Sequence, residues 1–346
     1  MEIIERREKL AHDIVDRHFR EDRTLDGRYP GDGRRKCVDD VRHSLLYLAE
    51  AVAADSPALF ANYVAWIKGL FANLGIPVEH LKDNLAVMAT VLNDSIPAPE
   101  GPAAAAIIQG ALAGFDAIPL QVETFLDETS GSHPIARQFL DALLAGDRVQ
   151  ATRMVADLFA AGSTVKDIYV RVFEPVLREV GRLWHANAVT VAQEHFVTAA
   201  VQMSMSQFYP HIFSTPRCSR ILVAACVSGE LHEIGVRIVA DHFEMAGWTT
   251  YYLGANTPPA AVVQAVADRG ADVLAISATI AAHLSKVREM IAALRREAAT
   301  SRVRILVGGY PFNIDRDLWR RIGADGCGCD AKEAVALGNA LAETAA

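Results

Sequence analysis

The sequence predicts an α + α/β protein: an N-terminal all-α bundle, a block of four further helices, and a C-terminal doubly wound sheet of five strands. Three observations predict it. Apolar residues recur at helical spacing through roughly the first two hundred positions, as in Leu59, Phe60, Tyr63, Ile67, Leu70, Phe71 and Leu74. From residue 218 onward, short apolar runs such as "ILVAAC" alternate with amphipathic stretches, the pattern of parallel strands covered on both faces by crossover helices. Finally, 346 residues at 51% hydrophobic content supply more than one core.

Each element has its own signal. Ser56 and Pro57 mark the cap and first turn of a helix that Gly75 ends, and similar helices are expected over about 36–54, 77–93 and 103–127. "IPAPEGP" connects two of them, and "DETSGSHP" at 127–134 reads as a linker. In the second helical block, Thr164 with Asp167 and Thr190 with Gln193 have capping-box spacing, so helices should start near 165 and 191. After "STPRCS", strands are expected near 220–226, 248–253, 272–277, 303–308 and 324–327, with Thr257 capping a helix that opens at Pro258. Right-handed crossovers then give the doubly wound sheet. The expected domains are 1–132, 133–214 and 218–346.

Composition narrows the function. A net charge of -8 argues against general nucleic-acid binding, with "RRKC" at 34–37 read as a solvated loop. No apolar run reaches the roughly 18 residues a membrane span needs, and the charged N-terminus lacks a signal-peptide core. Five cysteines, unclustered apart from "CGC" at 327–329, suit a reducing compartment, so a cytoplasmic location is expected. "CGC" lacks the second thiolate pair a zinc site requires and reads as small residues packing near the last strand.

The segment "SGELHEIG" follows the first strand, at the sheet edge where open α/β folds bind ligands. It lacks the glycines of a dinucleotide loop and the Gly-Lys-Ser/Thr of a phosphate loop, and its carboxylates, Glu230 and Glu233, would repel phosphate. An imidazole beside a carboxylate suits a metal instead, since the acid fixes the tautomer. One histidine cannot hold a bare ion. A macrocycle that brings four nitrogens of its own, such as a corrinoid, completes the ligand set.

Here the chain resembles the cobalamin-binding Rossmann-like domains, which carry Asp-x-His-x-x-Gly, then Ser-x-Leu, then Gly-Gly. "ELHEIG" spans 230–235, "SAT" 277–279 and "GG" 308–309, with 41 and 28 residues between. The resemblance implies His232 as the lower cobalt ligand, with Glu230, Leu231, Gly235, Ser277, Thr279, Gly308 and Gly309 lining the cofactor site. Ser277 would hydrogen-bond the nucleotide tail, and the glycine pair would let the backbone approach it. Glu230 replaces the usual Asp and Thr279 the usual Leu.

"WHANAVTVAQEH" at 184–195 resembles the Trp-x9-Glu-His motif in the helical cap of CarH-like adenosylcobalamin photoreceptors. That implies Trp184 over the upper axial group, Glu194 on the adenosyl sugar, His195 completing the pocket, and His185 as an upper ligand after photolysis. The first 130 residues or so show no short MerR-type helix-turn-helix and no basic recognition helix, so DNA repression is not expected. The long helical module looks instead like that of photocobilins, which combine cobalamin with biliverdin. Bilin contacts would come from Arg42, His43, Tyr47, Tyr63, Trp66 and Lys68.

The expected function is therefore a light sensor using adenosylcobalamin, with biliverdin as a second candidate chromophore. It is expected to act as a binding protein without a catalytic residue, forming a homo-oligomer whose assembly responds to light and which signals to a separate effector. The alternatives are a corrinoid protein carrying methyl groups between methyltransferases and a light-independent cobalamin sensor or carrier.

Overall fold

A computed structural model describes residues 1–127 and 132–343. The expected linker at 127–134 falls largely outside them. After a short helix at Glu2–Glu5, the N-terminal bundle is built mainly from helices Arg7–Glu21, Gly33–Ala53, Pro57–Asn73, Val78–Ser95 and Glu100–Ala113. The last is shorter than the expected 103–127. It stops at Gly114, gives one 3-10 turn over Phe115–Ala117, and cannot resume because Pro119 holds Ile118 extended. Ser56 precedes its helix as expected, but its hydroxyl donates to Asp315 Oδ2 at 2.5 Å rather than capping its own helix.

The second block, the cap, contains Ile135–Leu144, Arg148–Ala160, a continuous run from Val165 through a π-helical turn at Tyr169–Phe173 to Glu174–His185, and Val191–Ser206. Both capping boxes form, with Thr164 and Thr190 each accepting from the backbone three residues on. Met205 and Phe208 pack in this core, whereas Met203 is exposed.

Five parallel strands follow: β1 Ile221–Cys226, β2 Thr249–Gly254, β3 Val273–Ser277, β4 Arg304–Gly308 and β5 Gly326–Cys327, in the order β2-β1-β3-β4-β5. The fold is a Rossmann-like α/β sheet. Helix Pro259–Arg269 starts one residue later than expected, capped at Pro258, and Thr257 instead hydrogen-bonds the carbonyl of Gly254 at 3.3 Å.

β1 and β3 are neighbours whose crossovers run to opposite sides, so the loops after them border the switch-point crevice. The N-terminal bundle packs beside this rim. One apolar cluster runs from Leu45, Phe60 and Val64 to Ala281, Leu284 and Phe312 without a break. Buried Glu50 fastens the contact, pairing with Arg288 at 2.5 Å and accepting from the backbone of Ser285 at 3.1 Å.

Candidate functional site

The loop after β1 is built around Glu230, which is fully buried. Its Oε1 accepts from the His232 backbone at 3.0 Å and from His232 Nδ1 at 2.5 Å. Its Oε2 accepts from the backbone of Thr279 (2.8 Å) and Ile280 (3.1 Å) and from His283 Nδ1 (3.1 Å). Burial pushes the Glu230 carboxyl up, but the bonds from His232 and His283 outweigh it and hold it well below the usual carboxylate range. A permanent anion at Nδ1 keeps the proton there and leaves the Nε2 lone pair of His232 for a metal. The same bond raises the His232 pKa against burial, with smaller contributions from the charges of Glu230 and Glu194. The His232 side chain is 60% exposed. A half-open imidazole with a fixed tautomer fits a cofactor that supplies its own equatorial ligands.

The other two motif segments converge on the same rim. Ser277 pairs with Gly308 across β3 and β4, and the Thr279 backbone is the group that binds Glu230. Gly309 has φ +110°, and a Cβ there would lie 2.1 Å from the Ala278 carbonyl oxygen. A Cβ at Gly308 would meet only the Gly328 carbonyl at 3.5 Å. Leu231 is 72% exposed on the loop, and Gly235 lies in the first turn of helix Ile234–Glu244 with free space beside it.

In the second helical block, Glu194 accepts from His195 Nδ1 at 2.6 Å and from Thr198 Oγ1 at 2.8 Å, at the start of helix Val191–Ser206. Trp184 stacks on Trp66 of the N-terminal bundle, with centroids 6.5 Å apart. His185 is buried and bonded through Nε2 to the Trp66 carbonyl at 2.8 Å, so an upper-ligand role would require it to leave that bond.

Several expected bilin contacts are committed elsewhere. Lys68, one of the expected bilin contacts, is buried and donates to the carbonyls of Phe115 (2.7 Å) and Ile118 (3.0 Å), closing the last turn of the bundle. Arg42 pairs with Glu8 at 2.8 Å and with Asp39. Tyr63 is a core residue bonded to Ser44, with Tyr47 stacked on it at 4.2 Å, while His43 is exposed and holds the Asp39 carbonyl.

Two residues that shape this loop were not among the expected site residues. His283 shares the Glu230 carboxylate. Glu233 ties the cap to the sheet, accepting from Gln202 (2.9 Å), Tyr252 (2.8 Å) and the Ala255 backbone (3.0 Å). No spacing rule announces either; the signal was a second histidine and a second carboxylate near the motif.

Residues 220–336 and 135–209 each match a B12 binding domain family. The chain is 31% identical over 167 residues to dimethylamine corrinoid protein 2 of Methanosarcina mazei, covering 48% of this chain and 75% of that protein. It belongs to the B12-binding family. Dimethylamine corrinoid protein 3 of Methanosarcina acetivorans is 33% identical over 122 residues, 35% of this chain and 56% of that relative. The HTH-type transcriptional repressor CarA of Myxococcus xanthus is 36% identical over 137 residues, 39% of this chain and 43% of CarA. The chain thus spans about half the length of these last two relatives. Methanosarcina barkeri monomethylamine corrinoid protein shares the fold, with TM-score 0.52 and 20% identity over 58% of this chain and 94% of that one. Membership of the B12-binding family indicates a cobalamin or corrinoid cofactor. Among the described residues, no helix is long and apolar enough to cross a membrane.

Proposed function

We propose that this chain is a light-responsive sensor in which adenosylcobalamin is held between His232 and a roof formed by Trp184, Glu194 and His195. Bound there, the cofactor supplies a cobalt–carbon bond that visible light breaks. The residues do the rest. Glu230 orients His232 as lower ligand; Ser277, Gly308 and Gly309 leave a slot for the tail; and the roof residues are positioned to lose their contacts when the upper group departs. That loss biases the packed interface between the bundle and the cap, and with it homo-oligomer assembly and an effector's access. The observation that supports this reading most is the stacking of Trp184 on Trp66, which brings the N-terminal bundle against the residue proposed as the roof. Similarity to CarA, a transcriptional repressor by name, supports a regulatory role. A bilin in the N-terminal bundle belongs to the same proposal and would draw on His43 and Trp66, the two exposed residues among the six expected contacts.

The second reading is a corrinoid carrier for methyl transfer, favoured by the dimethylamine corrinoid relatives. Illuminating the protein loaded with adenosylcobalamin separates the two. A sensor gives a rapid spectral change followed by an altered elution volume; a carrier, or a light-independent sensor, keeps its size. Absorption with and without biliverdin tests the second chromophore, which would add a red band that travels with the protein.

A further inference from the structure

We infer that Trp66 of the N-terminal bundle sets, together with Trp184, which upper axial groups the cobalamin cleft admits. This rests on the reading of Trp184 as the cleft's roof.

The argument starts from one face of helix Pro57–Asn73. Asn62, Trp66, Gly69 and Asn73 recur at helical spacing, and each reaches outside the bundle. Asn62 Nδ2 donates to the Tyr310 hydroxyl at 3.1 Å, just past Gly309. The Trp66 ring lies 27° from parallel with Trp184. A Cβ at Gly69 would sit 2.8 Å from His185 Cε1, so only a glycine lets that ring in, and Asn73 Nδ2 donates to the His185 carbonyl at 3.0 Å. The stripe therefore spans from the loop after β4 to the end of the cap helix. If His232 is the floor and Trp184 the roof of the cobalamin cleft, this stripe forms one of its sides.

Trp66 is held in place from behind. Tyr63 stacks on it at 6.5 Å and Tyr47 on Tyr63 at 4.2 Å, while His185 fixes its carbonyl. The inner end of this ladder is near the rim: after burial, the charge of Glu230 is what raises the Tyr47 hydroxyl pKa. Yet Trp66 and Trp184 remain 42% and 37% exposed. Two pre-organised indoles with open surface form an aromatic wall suited to a flat, bulky group and out of reach of a small one.

The test is an equilibrium titration in the dark, by absorbance, of the full chain with adenosylcobalamin and separately with cyanocobalamin. Trp66→Ala is expected to weaken adenosylcobalamin about tenfold and cyanocobalamin less than about twofold. Equal losses for both cobalamins, or none for either, overturn the inference. Trp184→Ala is measured alongside. If it does not discriminate between the two cobalamins, the roof reading itself fails; if it does and Trp66→Ala does not, only the role of Trp66 fails. Should Trp66→Ala lose its helical circular dichroism, Trp66→Phe decides, with a smaller loss confined to adenosylcobalamin expected and an equal or absent loss contradictory.

Discussion

Glu230 Oε1 lies 2.5 Å from His232 Nδ1, deep enough that the carboxylate has no exposure while the imidazole it orients remains half-open. Glu230→Gln keeps the volume but turns one acceptor into a donor. With the Thr279 and Ile280 amides claiming the remaining oxygen, the amide nitrogen faces Nδ1 and drives the proton to Nε2. Cobalamin affinity, measured by absorbance titration, is expected to fall about ten- to a hundredfold. An unchanged affinity would remove the carboxylate from the account.

The glycine pair separates folding from binding. Gly309→Ala forces a Cβ onto the Ala278 carbonyl at φ +110° and is expected to cost more than about 3 kcal/mol in denaturant unfolding. Gly308→Ala meets only a carbonyl at 3.5 Å, so its melting temperature should stay near wild type while cobalamin affinity drops. Equal stability losses at both positions would show that Gly308 is structural.

Stability should depend on pH through Asp241, which accepts from Tyr169 at 2.8 Å between cap and sheet. Burial raises its carboxyl to about 6, against the lowering effects of Tyr169 and Arg237. The folded state then keeps a proton that the unfolded chain releases near the ordinary carboxylate value of 3.8. The contribution is complete below that value and lost as pH rises through 6, a span worth about 3 kcal/mol. Melting temperatures should fall between pH 4 and 6.5 in the wild type, and Asp241→Asn should flatten that slope. An equally steep slope in the variant would assign it to other groups.

Lys68 provides a control for the bilin reading. Lys68→Met leaves the Phe115 and Ile118 carbonyls without their donor and is expected to destabilise the chain by about 1–3 kcal/mol. Biliverdin uptake, if present, should be unaffected by this change once folding is accounted for. A selective loss of pigment from a fully stable variant would restore Lys68 as a contact.

What the sequence disclosed follows from which forces are local. Strands β1 to β4 lie within a residue of their expected positions because apolar runs and turn residues define them directly. The capping boxes are local too, and both form. The motif segments 230–235, 277–279 and 308–309 could be aligned at the rim because parallel strands end there in register. Other features depend on tertiary partners. His283 reaches Glu230 only because the chain turns after β3, and Ser56 gives up its cap for Asp315, 259 residues away. Lys68 and Tyr63 lie on the same helix as Trp66, and amphipathic spacing alone cannot tell which of its faces meets the core and which meets Trp184 and His185.

The central claim, that a protein imidazole holds the cobalt from below, is tested most directly by electron paramagnetic resonance of the Co(II) form bound to protein grown with 15N-histidine. If His232 is the axial ligand, the nitrogen superhyperfine triplet becomes a doublet on labelling, and His232→Ala abolishes the labelled coupling. A triplet that persists in the labelled protein would mean that the cofactor's own base remains on the metal, contradicting the account.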